Sequence, residues 1–278
     1  MKKALILVAV LVCAMGAYAQ SADQVELNSG HNNNTVYGWQ KVNNFAGGGG
    51  GGGVVDHGGP VMTAPKVVCI FWGFGTGNSY TAAMQSFRDS GMYNYSRMLS
   101  QYRNAGASAP TNFGGSANDK FDTSTPPANV TDSAVQAEVK KFFGGAEDTN
   151  TIYEVFIPST SYSSDGSSTS CGGPNLAYCA YHGHFTDGTR DVKYSIEPYP
   201  GCSGCQTSGF NINQNANHFA IHETREAVSD PDLNAWFDRR GYEADDKCAW
   251  SPTPFIDNAT GFGYQYEWSN AAGGCVKQ

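Results

Sequence analysis

The architecture follows from an apolar run in the first third of the chain, Lys66-Val67-Val68-Cys69-Ile70-Phe71-Trp72. Short runs of β-branched and aromatic residues are typical of strands buried inside a sheet. Cys69 lies at the centre of this run, where an unpaired cysteine behaves as a small hydrophobic residue. The run therefore predicts a central strand, and the neighbouring segments are interpreted around it.

Two helical patterns follow the predicted strand. The first begins near Thr81 and breaks near Gly91, and its apolar residues recur at steps of three and four. The second is capped by Thr131 or Asp132 and ends at Gly144-Gly145. Both patterns predict helices with one apolar face.

Further strands are expected over residues 151–158 and 178–200, the latter divided by a turn at Asp187-Gly188. Strands separated by helices, followed by an irregular cysteine-rich region, are typical of an α/β or α+β domain. We therefore expect a single main mixed sheet with flanking helices and a disulfide-rich C-terminal part.

Composition excludes several classes of protein. The 278 residues are 40% hydrophobic and 15% charged, which is enough apolar material for a core. The formal net charge is -8, and no basic run follows the N-terminal lysines. This acidic balance argues against binding of nucleic acid or of anionic lipid.

The N-terminal segment has the pattern of an export signal. Two lysines precede an apolar stretch too short to span a membrane, and Ala17-Tyr18-Ala19 offers small residues to a signal peptidase. We expect residues 1–19 to be a signal peptide and the mature protein to be secreted, to an extracellular or periplasmic compartment. Cys13 raises a lipoprotein alternative, which the large residue before it disfavours.

The mature chain divides into two parts. Residues 20–53 contain an Asn run and seven consecutive Gly, with few large apolar side chains, and we interpret them as a flexible arm. Residues 54–278 form a single globular domain. No other stretch is apolar enough for stable membrane insertion.

Seven cysteines remain after the predicted cleavage, and Cys69 is the expected unpaired one. The other six allow fifteen pairings, and sequence alone leaves them open. The local guess joins neighbours in the chain: Cys171 with Cys179, Cys202 with Cys205, and Cys248 with Cys275. The CxxC spacing of Cys202 and Cys205 also permits a redox or zinc-binding role.

Residues 217–231 contain the main candidates for metal binding and catalysis. Asn215 or Asn217 caps a predicted helix of about three turns, and Pro231 ends it. Residues four apart lie on one face, so His218, His222 and Glu226 form a stripe with Glu223 beside it. The pattern His222-Glu223-x-x-Glu226 is a zincin-like HExxH helix with a carboxylate in place of the second His.

A zinc site needs a third protein ligand, and the acidic segment 241–248 offers one. We expect Glu243 to bind the ion and Asp246 to accept a hydrogen bond that orients His222, or to bind the ion itself. Asp232, ten residues after His222, and His218 are alternatives. Oxygen ligands on such a loop also suit calcium.

Simpler interpretations stay open for several of these residues. His222 also fits a helix histidine without a ligand, and Glu226 fits an ion pair with a nearby cation. His182 and His184 alternate along a strand and face one side, as a metal pair or as a polar edge. His57 fits a turn. The sequence has no G-x-S-x-G motif, and the Gly run lacks the ending of a phosphate loop.

Six blocks keep a common order over residues 55–275. They are His57-Gly58-Gly59-Pro60, Met98-Leu99-Ser100-Gln101-Tyr102, Cys179-Ala180-Tyr181-His182-Gly183, Tyr199-Pro200-Gly201-Cys202-Ser203-Gly204-Cys205, His222-Glu223-Thr224-Arg225-Glu226-Ala227 and Asn234-Ala235-Trp236-Phe237-Asp238. In these blocks the chain resembles the phosphate-induced protein 1 (EXORDIUM-like) family. The resemblance implies a secreted protein, associated in plants with cell-wall growth, in which the HExxE pattern is usual.

Two functions are expected from these features. The first is a secreted zinc-dependent hydrolase, most simply a peptidase, in which Glu223 is the general base and His222, Glu226, Glu243 and Asp246 surround the ion. The second is a non-catalytic extracellular protein with a structural metal site that binds a cell-wall polymer or glycan through its aromatic residues. The corresponding partners are an extracellular peptide or a cell-wall polymer.

Overall fold

The computed structural model describes residues 24–26, 39–41, 52–106, 113–114, 119–143, 150–166 and 168–277. The predicted signal peptide, residues 1–19, lies outside the described residues. Within the predicted arm, β1 (Gln24–Glu26) pairs antiparallel with β2 (Trp39–Lys41). The sequence analysis does not anticipate this pair.

The main sheet has five strands, and it confirms the predicted mixed architecture. Its members are β4 (Lys66–Trp72), β5 (Lys120–Asp122), β7 (Thr151–Ile157), β9 (Tyr181–Asp187) and β10 (Arg190–Pro198). The strand order is β5-β4-β7-β10-β9. All neighbours are parallel except β9, which runs antiparallel to β10 along one edge. The predicted central strand therefore lies inside the sheet, and the predicted turn separates β9 from β10.

Four small strand pairs surround this sheet. They are β3 (Val55–Asp56) with β11 (Trp236–Phe237), β6 (Asn129–Thr131) with β8 (Tyr162–Ser164), β12 (Phe255–Ile256) with β13 (Gly263–Tyr264), and β14 (Glu267–Ser269) with β15 (Gly274–Val276). All are antiparallel except β6 with β8. Three of the four pairs have strands beyond residue 230, where the described residues form only short elements.

Helices α1 and α2 arise where the sequence predicts them. Helix α1 (Ser79–Ser90) begins at the Asn78 cap and stops at Gly91, and the pattern beyond it forms only a short 3-10 helix, Arg97–Gln101. Helix α2 (Asp132–Phe143) begins where the Thr131 hydroxyl accepts from a backbone N–H of the first turn. The Gly144-Gly145 stop lies outside the described residues.

Helix α3 (Ile212–Ser229) is longer than expected. It has 18 residues, or about five turns. The predicted caps, Asn215 and Asn217, are wrong because Asn211 and Gln214 form a capping box one turn earlier, each side chain bonding the other's backbone N–H. The predicted stop is confirmed, since the helix ends before Pro231.

The core has a layer on each face of the main sheet. On one face α1 and α3 pack against side chains such as Val67 and Phe71, and on the other α2 packs against Val68 and Ile70. Alternate residues of β4 thus serve the two layers, as the pleat requires. No helix among the described residues is long and apolar enough to span a bilayer.

Three disulfides join the six C-terminal cysteines, and Cys69 is free and buried as predicted. The local guess is wrong for two pairs. The segment after β10 folds back beside two earlier cysteines, which brings partners 26 and 31 residues apart to a Cα separation of 5.6 Å. The observed bonds are Cys171–Cys202, Cys179–Cys205 and the expected Cys248–Cys275.

Candidate metal centre

The candidate site lies where helix α3 covers the antiparallel edge of the main sheet. In the sheet register, Cys69, Glu154, Ser195 and His182 form one row across β4, β7, β10 and β9. All four side chains are buried beneath the helices. His182, at the edge of this row, faces Glu223 of α3, with Nδ1 and Oε2 3.4 Å apart. The edge strand and the helix therefore meet at a pair of ionisable groups.

Three of the predicted residues come together around His222. Its Nε2 lies 3.1 Å from Glu226 Oε2, one helical turn on, and 3.8 Å from Asp246 Oδ1. The ligand atoms of all three residues lie within 4.8 Å of one another. The backbone N–H of Asp246 donates to Glu226 Oε1 at 2.9 Å, so the acidic loop is fastened to the helix.

Glu243 lies elsewhere in the cluster. Its Oε2 is 3.6 Å from Nε2 of His182, and its backbone N–H donates to Asp246 Oδ2 at 3.1 Å. It therefore faces the edge strand, whereas Asp246 faces His222. Asp246, rather than Glu243, is therefore the acid that lies in the position of the third ligand.

Gln265 determines which nitrogen of His222 faces the acids. Its amide Nε2 donates to the backbone carbonyls of Asp245 and Tyr266, at 2.9 and 3.2 Å, so its Oε1 must accept. Nδ1 of His222 and Nε2 of His218 both approach that oxygen, at 3.0 and 2.8 Å, and donate to it. The neutral His222 ring consequently carries its lone pair on Nε2, toward Glu226. His218 is committed to Gln265 rather than to the acids.

A buried ion pair between Arg225 and Asp245 holds the side chain of Gln265 in place. Arg225 pairs with Asp245, and its Nε lies 3.6 Å from Glu267. Burial raises the pKa of Asp245 to about 6 against the opposing effect of the Arg225 guanidinium, and burial raises the pKa of Glu267 well above its usual value. The carboxylate and carbonyl of Asp245 both accept from Gln265, which links this pair to the His222 ring.

The cluster concentrates negative charge away from solvent. Burial lowers the pKa of His182 to about 3 and that of His222 well below its usual value, so both rings are neutral near pH 7. Four carboxylates share this space with two neutral rings, each side chain at most 2% exposed: Glu223, Glu226, Glu243 and Asp246 with His182 and His222. Buried like charges at these separations repel strongly unless protons or cations lie among them.

The spacing of donor atoms suits a zinc-type ion. Ligands about 2.1 Å from a tetrahedral ion lie about 3.4 Å apart, and the His222 separations of 3.1 and 3.8 Å bracket that value. One imidazole with two carboxylates matches the borderline character of zinc better than the all-oxygen shell of calcium. The residues present therefore fit a zinc-type ion.

Two other groups of ligand-type residues are engaged in different interactions. His184 bonds Asp191 at 2.8 Å, and the Lys193 ammonium pairs with both Asp191 and Asp232, so a cation already balances these acids. Asp232, an alternative third ligand, is thus outside the cluster. The sulfurs of Cys171, Cys202 and Cys205 are near one another because they belong to disulfides.

His57 lies outside the cluster. His57 stacks on Phe237, with ring centroids 3.7 Å apart, in a turn beside β3. Among the residues that the structure describes, Val55 is the single exposed large hydrophobic side chain.

The sequence predicts neither that His182 lies beside the helix acids nor that Gln265 belongs to the site. The alternation of His182 and His184 indicates a shared face, but the two rings have separate partners. Gln265 is 43 positions from His222 and belongs to no motif, so only the fold brings them together.

No family model, curated protein or solved structure matches this chain. Its resemblance to the phosphate-induced protein 1 family stays a prediction.

Proposed function

We propose that the protein is an exported, zinc-dependent hydrolase that cleaves extracellular peptides. The observation that carries this proposal is the convergence of His222 Nε2, Glu226 Oε2 and Asp246 Oδ1 within 4.8 Å in a buried site. Three nitrogen and oxygen ligands are the usual protein contribution to a catalytic zinc ion. Asp246 takes the place that the sequence assigns to Glu243.

The chemistry requires a base next to the ion. When bound, a zinc ion acts as a Lewis acid and lowers the pKa of its water. Glu223 follows His222 directly on α3, and its Oε2 lies beside His182. The Glu223 carboxylate would accept the proton of the attacking water as the general base, and His222, Glu226 and Asp246 would hold the ion.

Export and family membership form part of the same proposal. Three disulfides are typical of proteins that fold in an oxidising compartment, which supports secretion. The HExxE pattern, the cysteines and the acidic loop are shared with the phosphate-induced protein 1 family as the sequence blocks suggest. These features favour an extracellular peptide over a cytosolic substrate.

A second function is favoured by the burial of the cluster. Glu223 and His222 are completely buried, and closed sites are typical of structural rather than catalytic zinc. In this alternative the ion would hold α3 and the acidic loop together, and the protein would act without cleaving anything. The two functions share the ion and differ in the role of Glu223.

A digest of a broad peptide library separates them. The mature protein loaded with one equivalent of zinc is compared with Glu223→Gln at equal metal content, and with Asp187→Asn at the end of β9 as a control. Cleavage by the parent and the control that is lost in Glu223→Gln supports the hydrolase. Equal products from all three proteins exclude Glu223 as the general base, and no products from the zinc-loaded parent reject the hydrolase in favour of the structural ion.

A further inference from the structure

We propose that the cluster contains a second, inhibitory subsite for a zinc-type cation, formed by His182, Glu223 and Glu226. The inference rests on the proposed function, because Glu226 also belongs to the first site. His182 comes from the edge strand β9, and the two acids come from α3. Two sets of three ligands thus share one carboxylate.

The geometry of the second set resembles that of the first. Nδ1 of His182 lies 3.4 Å from Glu223 Oε2 and 3.7 Å from Glu226 Oε2, and the ligand atoms of the three residues are within 4.8 Å of one another. Tetrahedral ligands about 2.1 Å from a zinc ion are about 3.4 Å apart. The set supplies one nitrogen and two oxygens, as does the first.

Glu243 is placed to orient the His182 ring. Its Oε2 faces Nε2 of His182 at 3.6 Å, on the side of the ring opposite Nδ1. Histidines that bind metals through one nitrogen usually present the other to a carboxylate or carbonyl. Glu243 therefore acts as a positioning residue for the second subsite rather than as a ligand of the first.

The charge of the cluster favours two ions over one. Four acidic side chains and two imidazoles line it, and all six are buried. One divalent ion balances the charge of two carboxylates, and buried carboxylates this close together are stabilised by cations that lie among them. A second divalent ion balances all four acids.

The second ion removes the general base. A Glu223 carboxylate that binds a cation through Oε2 no longer accepts a proton from water at that oxygen. The first equivalent of zinc therefore activates the protein, and the second inhibits it. The two subsites make the response to zinc biphasic.

A zinc titration of the mature protein, read by native mass spectrometry and calorimetry, tests the subsite. The parent is expected to bind two ions, the second at least tenfold more weakly. His182→Ala should bind one, and His184→Ala, altered two positions along β9, should bind two. If His182→Ala does not fold, Glu223→Gln provides the same comparison, since it removes a ligand of the second subsite alone.

The outcomes distinguish the two proposals. No bound zinc in the parent contradicts the proposed function itself. A single ion in the parent at saturating zinc overturns the second subsite and leaves the first intact. Two ions in His182→Ala, or in Glu223→Gln where that variant replaces it, also overturn the subsite.

Discussion

The amide oxygen of Gln265 lies 3.0 Å from Nδ1 of His222 and forces the lone pair of that imidazole toward Glu226. A lone pair and two carboxylates that lie close together form a candidate cation site from a helix motif that is weak on its own. Gln265 is held in turn by Asp245, whose partner is Arg225. The geometry of the candidate site therefore depends on residues outside its set of ligands.

Replacing Gln265 with Ala should weaken zinc binding by about 10–100-fold, because the His222 ring loses the acceptor that fixes its tautomer. Competition with a chromophoric chelator measures the affinity. Gln206→Ala, which removes an amide bonded to the Pro200 carbonyl, is the matched control and should bind zinc like the parent. Equal zinc affinities in the two variants would show that Gln265 does not orient His222 for zinc binding.

Replacing Arg225 with Ala should destabilise the apo protein by about 3–5 kcal/mol, because Asp245 and Glu267 remain buried without their cation. Urea denaturation of the metal-free protein measures the loss. Arg240→Ala removes a half-exposed guanidinium 3.8 Å from Asp238 and should cost about 0–1 kcal/mol. Similar losses in both variants would argue against a buried network behind Gln265.

Glu154 should make stability fall as pH rises. Burial raises the pKa of this fully buried carboxyl to about 7, while its unfolded value is 4.5, even though Thr224 and Arg88 oppose the shift. Between those two values the folded protein retains a proton that the unfolded chain has released. The stability that this retained proton contributes is therefore complete below the unfolded pKa, and it is lost as pH approaches about 7.

Glu154→Gln should abolish this pH dependence. The variant should gain stability relative to the parent between pH 4 and pH 8, by roughly 1–3 kcal/mol. Denaturation of both proteins at the two pH values measures the gain, with Asp187→Asn as a surface control. A difference between Glu154→Gln and the parent that is the same at both pH values would show that Glu154 titrates normally.

The disulfide between Cys248 and Cys275 should stabilise the acidic loop. It closes a loop of 27 residues, and the chain-entropy estimate for that length is about 3–4 kcal/mol. The double variant Cys248→Ser, Cys275→Ser should lose about that much stability and should also bind zinc more weakly, since Asp246 lies two positions before Cys248. Cys69→Ser changes a buried free thiol and tests whether any loss follows from removing a cysteine alone.

The main sheet was predictable because its strands are recognisable from their own residues. The run around Cys69 is apolar on both faces, and the turn at Asp187-Gly188 separates two extended segments. The existence of helix α3 was predictable, but its first residue was not. Asn211 and Asn215 have the same propensity to cap a helix, so the sequence permits either start. The capping box with Gln214 decides between them.

The site was only partly predictable because its members are distant in sequence. Local spacing places His222, Glu223 and Glu226 on one helix, but it does not say whether Glu243 or Asp246 turns toward them. The loop decides this through the Asp246 backbone N–H, which donates to Glu226. The disulfide partners were unpredictable for the same reason, since Cys171 and Cys202 are 31 residues apart and lie on either side of the β9–β10 hairpin.

The zinc content of the purified mature protein tests the central claim most directly. The account predicts bound zinc in the parent and in His57→Ala, whose ring is stacked on Phe237 away from the cluster. It predicts a loss of at least tenfold in zinc affinity in His222→Ala. Equal and negligible zinc in the parent and in His222→Ala would contradict the account.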